Sequence, residues 1–159
     1  MSDLLDLLHR NARLSLEELA NQLDSSVQDV AAQLSSLEED GTIRGYQTMI
    51  DPAKLSTDRV TAFIEVRLTP ERGGGFDRLA RRIARFKQVT SCYLISGGYD
   101  LIVLVEGNNL LEVANFVAEQ LSPLDGVVSC STHFRLKSYK ENGFSFGIPD
   151  DVERLPVSP

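Results

Sequence analysis

Apolar positions in the first forty residues recur at helical spacing in three blocks. Leu4, Leu5, Leu7, Leu8 and Ala12 form a stripe on the first predicted helix, and Leu16, Leu19, Ala20 and Leu23 one on the second. Val27, Val30, Ala31, Leu34 and Leu37 follow at i, i+3, i+4, i+7 and i+10, one face of a third helix. Ser15 with Glu18 three residues on is a capping box for the second helix. Asp24 and Ser25 make a short turn, and the third helix opens at Ser25 or Ser26 with Gln28 or Asp29 as its first-turn partner. Gly41 is placed to end it in the left-handed conformation. Beyond it the period shortens: residues 42–50 alternate loosely and are β-prone, which predicts a two-stranded wing bent at Gly45. Three short helices with a tight turn before the third, then a wing, is a winged helix-turn-helix. A small helical bundle with no ligand gives the same periodicity.

The remaining pattern alternates strand and helix. Residues 60–68 read as a strand. A helix follows through Phe76, Leu79, Ala80, Ile83, Ala84 and Phe86, with Arg78, Arg81, Arg82 and Arg85 on its polar side. Residues 89–96 and 100–106 predict two strands joined by a compact hairpin at Gly97-Gly98-Tyr99-Asp100. Leu110, Leu111, Val113, Ala114, Val117 and Leu121 mark another helix, and a last strand covers 127–139. The order βαββαβ predicts an α+β, ferredoxin-like domain, with an antiparallel sheet and both helices on one face. Phe63, Tyr93, Ile95, Ile102 and Leu104 make the other face apolar, so a partner sheet related by twofold symmetry is expected to cover it. The expected organisation is a winged helix-turn-helix over 1–55, a βαββαβ domain over 56–140, and a tail over 141–159 that leaves the domain.

Charge complicates this picture. The chain has 159 residues and a formal charge of −7. Residues 1–55 hold four basic side chains (Arg10, Arg13, Arg44, Lys54) against ten acidic ones, a charge of −6, while the rest carries 12 basic and 13 acidic. A nucleic-acid binder ordinarily concentrates Lys and Arg where it meets phosphate. Residues 14–43 contain neither. Base contacts would therefore fall to Ser25, Ser26, Gln28 and Gln33, since Gln and Ser pair with base edges, and phosphate contacts to Arg44 and Lys54 with Arg10 and Arg13. Asp29 would repel phosphate. The arginine face of the later helix reads either as solvated surface or as a contact to flanking DNA.

Other chemistry finds little footing. His9 and His133 are the only histidines, and Cys92 and Cys130 the only cysteines, both on predicted strands. Cys130 and His133 lie at strand positions that face opposite ways, so no zinc site is expected. No phosphate loop, nucleophile triad or acid pair has a supporting context, so no catalytic residue, metal or cofactor is assigned, and Gly73-Gly74-Gly75 reads as a linker. The acidic N-terminus does not read as a signal peptide, and no run approaches the roughly 18 apolar residues of a membrane helix. A reducing cytoplasm is the expected compartment.

Taken together, NARLSLEELANQL, SLEEDGTIRGYQTMIDPAKL, TAFIEVRLTPE, YLISGGYDLIVLVEG and LDGVVSCSTHFRLKSYK resemble the Lrp/AsnC, or feast/famine, family over about residues 3–140. The resemblance implies a DNA-binding transcriptional regulator whose second, RAM-type domain dimerises through its sheet, often builds tetramers or octamers, and binds an amino acid or related metabolite. Mapped onto this chain, the effector region covers Gly97, Gly98, Tyr99, Asp100 and Leu101, with Ser131, Thr132 and His133. A glycine-rich turn offers backbone amides to a carboxylate, and Asp100 suits an ammonium group. The same glycines equally permit a tight hairpin that Asp100 caps. Two other readings stand beside this one: an effector-sensing co-regulator that has lost autonomous DNA binding, and a tetrapyrrole-processing decarboxylase of the same fold.

Overall fold

A computed structural model describes residues 3–55, 59–70 and 75–147. The chain divides into two compact units, 1–50 and 51–159.

The first unit contains α1 (Asp3–Arg10), α2 (Leu16–Gln22) and α3 (Val27–Glu39). Their apolar stripes converge on a core of Leu4, Leu8, Leu19, Ala20 and Val30, with Leu34, Leu37 and Ile43 packed around it. The capping box closes as the sequence predicts. The Ser15 hydroxyl accepts the Glu18 amide at 3.2 Å, and the Glu18 carboxylate accepts the Ser15 amide at 2.8 Å. Between α2 and α3, Asp24 takes a φ of 50°, and the Ser25 amide reaches back to the Ala20 carbonyl at 3.0 Å. An aspartate tolerates this left-handed position better than most residues, so the chain reverses in very few residues. Gly41, at a φ of 76°, terminates α3, and the Ile43 amide returns to the Leu37 carbonyl at 2.8 Å.

Residues 42–50 do not form the expected pair of strands; among the described residues they are irregular and mostly exposed. Nine residues leave only three or four for each arm once a turn is subtracted, and so short a ladder is marginal without further partners. Instead, the Tyr46 hydroxyl donates to Glu38 Oε1 at 2.8 Å and ties the segment to the end of α3.

The second unit holds β1 (Val60–Leu68), α4 (Asp77–Ile83), β2 (Val89–Leu94), β3 (Leu101–Gly107), α5 (Leu110–Phe116) and β4 (Val127–Phe134). The sheet order is β2-β3-β1-β4 with antiparallel pairs, the ferredoxin-like arrangement. Strict alternation puts Ala62, Ile64, Val66 and Leu68 of β1, and Leu101, Val103 and Val105 of β3, under the helices. Leu79, Ile83, Val113, Phe116 and Leu121 close that core. A π-helical turn over Val117–Leu121 extends α5.

The opposite sheet face is a register of cross-strand neighbours: Phe63 with Leu104 and His133, and Glu65 with Ile102 and Ser131. Tyr93 pairs with Ile102. Phe63, Ile102, Leu104 and Tyr93 thus share one face, as their alternation requires.

Two boundaries differ from the sequence reading. The last strand ends at Phe134, not near 139, and the chain does not then leave the domain. It forms a hairpin of β5 (Lys140–Glu141) and β6 (Phe144–Ser145), and Phe146 is buried with its amide on the Tyr139 carbonyl at 2.8 Å. Asn142 and Gly143 both take positive φ, 47° and 89°, as a two-residue hairpin turn demands. Gly73, Gly74 and the rest of the tail, 148–159, lie outside the described residues.

Candidate functional site

In the first unit, the outward side of α3 is polar. Gln28, Asp29, Gln33, Ser35 and Ser36 are exposed, as is Ser25 in the preceding turn. Ser26 has a different task. Its hydroxyl accepts the Asp29 amide at 3.1 Å and donates to Asp29 Oδ2 at 2.7 Å, so it caps α3. Asp29 therefore also places negative charge at the helix's positive end. Arg44 folds over the other end, where a Cβ at Gly41 would stand 3.0 Å from its guanidinium carbon. A cation suits a helix C-terminus, and its exposed guanidinium remains within reach of solvent. Lys54 belongs to the second compact unit. Desolvation first, and the Glu38 carboxylate second, push the Tyr46 hydroxyl above its ordinary pKa.

In the second unit, hydrogen bonds from the neighbouring strands fix the β2–β3 hairpin. The Ile95 amide donates to the Asp100 carbonyl at 2.9 Å, and the Asp100 amide to the Val66 carbonyl at 3.0 Å. The Leu68 amide donates to Asp100 Oδ2 at 2.7 Å, and Arg67 Nε to the Gly98 carbonyl at 2.9 Å. Among the described residues the apex is left clear: a Cβ built at Gly97 or Gly98 would find none of their atoms within 4 Å. Tyr99 and Asp100 are half-buried beside it. Leu101 is fully buried under the helices, so its side chain packs the core.

The predicted residues of β4 do not join this hairpin within the chain. Leu101 and Cys130 are cross-strand neighbours of the same residue, Val66, from opposite sides. The two sets are therefore separated by β1, about 10 Å at ordinary strand spacing. Ser131 and His133 face the open side, where His133 Nε2 lies 3.4 Å from Ser131 Oγ and 3.5 Å from Glu65 Oε1. Thr132 faces the helices, as its pairing with buried Ile64 dictates. Glu65 is not among the residues that the sequence reading singles out; strand parity together with the β1–β4 register puts it beside them. The same holds for Arg135, which donates to Thr61 Oγ1 at 2.8 Å and pairs with Glu141 at 3.3 Å. A groove of about 650 Å³ runs along this face, lined by Phe63, Glu65, Ile102, His133, Arg135 and Tyr139 among others.

This architecture matches known proteins in both halves. Residues 61–143 match the family model for the Lrp/AsnC ligand-binding domain, and residues 2–44 the model for a winged helix-turn-helix DNA-binding domain. The chain belongs to the Lrp/AsnC family. It is 45% identical to YugG, an uncharacterized HTH-type transcriptional regulator of Bacillus subtilis (strain 168), over 99% of this chain and 96% of that one. It is 32% identical to the proline dehydrogenase transcriptional activator of Rhodobacter capsulatus, covering 89% and 96% of the two chains. The crystal structure of MtbAldR superposes with a TM-score of 0.73 at 26% identity, covering 88% of this chain and 97% of that one. The L-Met complex of the regulator NMB0573 from Neisseria meningitidis shares the fold, with a TM-score of 0.68 at 24% identity over 92% of each chain.

The Lrp/AsnC chain is thus a transcriptional regulator with a winged helix-turn-helix DNA-binding domain and a ligand-binding domain. The comparisons favour neither the co-regulator nor the decarboxylase reading. Among the described residues no His, Cys, Asp or Glu cluster of three or more could hold a metal, and no helix is long and apolar enough to cross a membrane. Cys92 and Cys130 of this regulator pack against the sheet–helix core, and burial raises both thiol pKa values.

Proposed function

We propose that the regulator is gated by a free amino acid taken up at the Gly97–Asp100 hairpin, and that it acts in the cytoplasm as a dimer or an assembly of dimers. The observation that carries this reading is the apex of the hairpin, clear of the described residues above Gly97 and Gly98, on a backbone held by hydrogen bonds from Arg67 and Leu68. An open, pre-organised glycine turn presents peptide groups to a carboxylate without first having to be ordered. Among the described residues, Leu68 engages one Asp100 carboxylate oxygen, and the other suits an ammonium group. The named role of the Rhodobacter relative in proline dehydrogenase activation supports an amino-acid effector, and so does the L-Met carried by the Neisseria regulator.

Dimerisation follows from the open sheet face, where Phe63, Ile102, Leu104 and Tyr93 form an apolar surface with Glu65 and His133 at its side. Ser131 and His133 then come into use at a contact between copies, while Thr132 and Leu101 serve packing. On DNA, Gln28 and Gln33 read base edges from the exposed side of α3, with Ser25 beside them, and Arg44 and Lys54 meet phosphate. Ser26 contributes by capping the helix. With a charge of −6 over residues 1–55, binding per protomer is weak, and several winged helices acting together supply the affinity.

A thermal-shift screen of the full chain against the common L-amino acids tests the effector assignment. One or a few should raise the melting temperature in a concentration-dependent way, because only the folded state binds them. Gly98→Val should abolish the shift with little loss of intrinsic stability. If no amino acid shifts the wild type, or if Gly98→Val shifts like the wild type, the assignment is wrong.

A further inference from the structure

Arg78, Arg81, Arg82 and Arg85 line one side of a groove of about 360 Å³ against Asp125 and Leu79. All four arginines are exposed, as is Lys87 just beyond them. Their spacing of i, i+3, i+4 and i+7 puts them on a single face of α4 and the turn that continues it. Residues 77–87 carry five basic side chains against one acid, Asp77, in a chain whose overall charge is −7. That one acid reaches Arg81 only at 4.0 Å, with both side chains largely in solvent. Like charges four residues apart on a helix repel, so this ridge works against helix stability on its own. An anion laid along it reverses the sign of that contribution.

We propose that this arginine ridge is a second DNA-contacting surface, which grips the phosphate backbone of duplex DNA and adds to the weak sequence-independent attraction of the acidic helix-turn-helix unit. The inference rests on the direct DNA binding assigned above. From Arg78 to Arg85 the ridge runs about 10 Å at the helical rise of 1.5 Å per residue, over which one strand of a duplex presents about three phosphates. Guanidinium groups suit phosphate oxygens because their planar forks can donate two parallel hydrogen bonds. The division of labour is then physical: α3 carries polar side chains able to read bases but no basic residue, while α4 carries the cations and no base-reading amide.

The test is the salt dependence of binding to a random-sequence 40-base-pair duplex, measured by fluorescence anisotropy with the full chain and the triple variant Arg81→Gln/Arg82→Gln/Arg85→Gln. Removing one arginine–phosphate pairing should lower the magnitude of the slope of log K against log salt by about 0.9. The triple variant should therefore show a slope smaller by about 2 to 3, with weaker binding at every salt concentration. Replacing the same three positions by Lys should restore most of the slope. A triple-variant slope equal to that of the wild type overturns the proposal. So does binding of inorganic pyrophosphate that the triple variant loses while its DNA slope is unchanged, which would make the ridge a small-anion site. A change in assembly size by native mass spectrometry with an unchanged slope overturns it too, in favour of a contact between copies of the chain. If the wild type binds no duplex at low salt, direct DNA binding itself fails, an outcome distinct from a slope that does not move.

Discussion

The Asp100 carboxylate stands in for a missing backbone carbonyl by accepting the Leu68 amide at 2.7 Å. The ladder between β1 and β3 ends at Val66 paired with Leu101, and β1 breaks register with β4 between Arg67 and Leu68. Leu68 therefore projects past the start of β3, and the Asp100 side chain reaches its amide from the hairpin. One residue thus secures the ends of the two central strands and shapes the turn proposed to hold the effector.

Asp100→Ala leaves the half-buried Leu68 amide without its acceptor and should destabilise the second domain by about 1–3 kcal/mol in urea unfolding. Asp100→Asn keeps an acceptor oxygen and should lose less, while weakening the effector's ammonium contact. Equal stability losses in the two variants would mean that the negative charge, not the hydrogen bond, matters at this position.

Ser26 and Gln33 separate helix capping from base reading. Ser26→Ala should cost about 1 kcal/mol through loss of the α3 cap. Gln33→Ala, at an exposed position, should change stability by less than about 0.5 kcal/mol. On cognate DNA the order reverses: Gln33→Ala should lose about 1–3 kcal/mol of discrimination at one base pair, measured by competition with single-base operator variants.

Phe116 is 1% exposed and meets Phe86 edge-to-face, with ring centroids 5.4 Å apart and planes at 80°. Phe116→Ala should cost about 3–5 kcal/mol of unfolding free energy, the sum of lost burial and a residual cavity. Phe116→Leu fills most of that volume and should cost clearly less. Calorimetry of the two variants checks both values.

The thiols make a pH-dependent prediction. Burial raises the pKa of Cys92 and, more than the Ser122 hydrogen bond lowers it, that of Cys130. The folded chain then holds these protons more tightly than the unfolded chain. Their contribution to stability is complete below the unfolded thiol's pKa and falls as pH rises through the folded values. Iodoacetamide should accordingly label both cysteines more slowly in the native state than in urea at pH 8.5, because the thiolate is the reactive form.

Much of the fold is legible in the sequence because its elements carry local chemistry that agrees with their packing. Ser15 with Glu18, Gly41 after α3, and the strict alternation of β1 each specify an element without reference to the rest of the chain. The wing is not legible in this way, because alternation over 42–50 says nothing about whether so short a pair can hold its own ladder. The β5–β6 hairpin hides for another reason. Asn142-Gly143 is a strong two-residue turn signal, but the Gly and Pro of the following residues make the whole stretch read as a tail. The effector residues are legible as a turn, but the separation of Gly97–Leu101 from Ser131–His133 by β1 depends on sheet order. Glu65 and Arg135 emerge only once strand parity is combined with the register to β4.

Amino-acid binding at the Gly97–Asp100 hairpin is proposed to be coupled, within one chain, to DNA binding through α3. The most direct measurement is the affinity of the full chain for the DNA upstream of its own coding sequence, with and without the amino acid that raises its melting temperature. The Kd should change about 5- to 150-fold with the amino acid, with a reciprocal change in amino-acid affinity when DNA is present. An unchanged Kd at saturating amino acid, or no binding to that DNA by any oligomer at low salt, would contradict it.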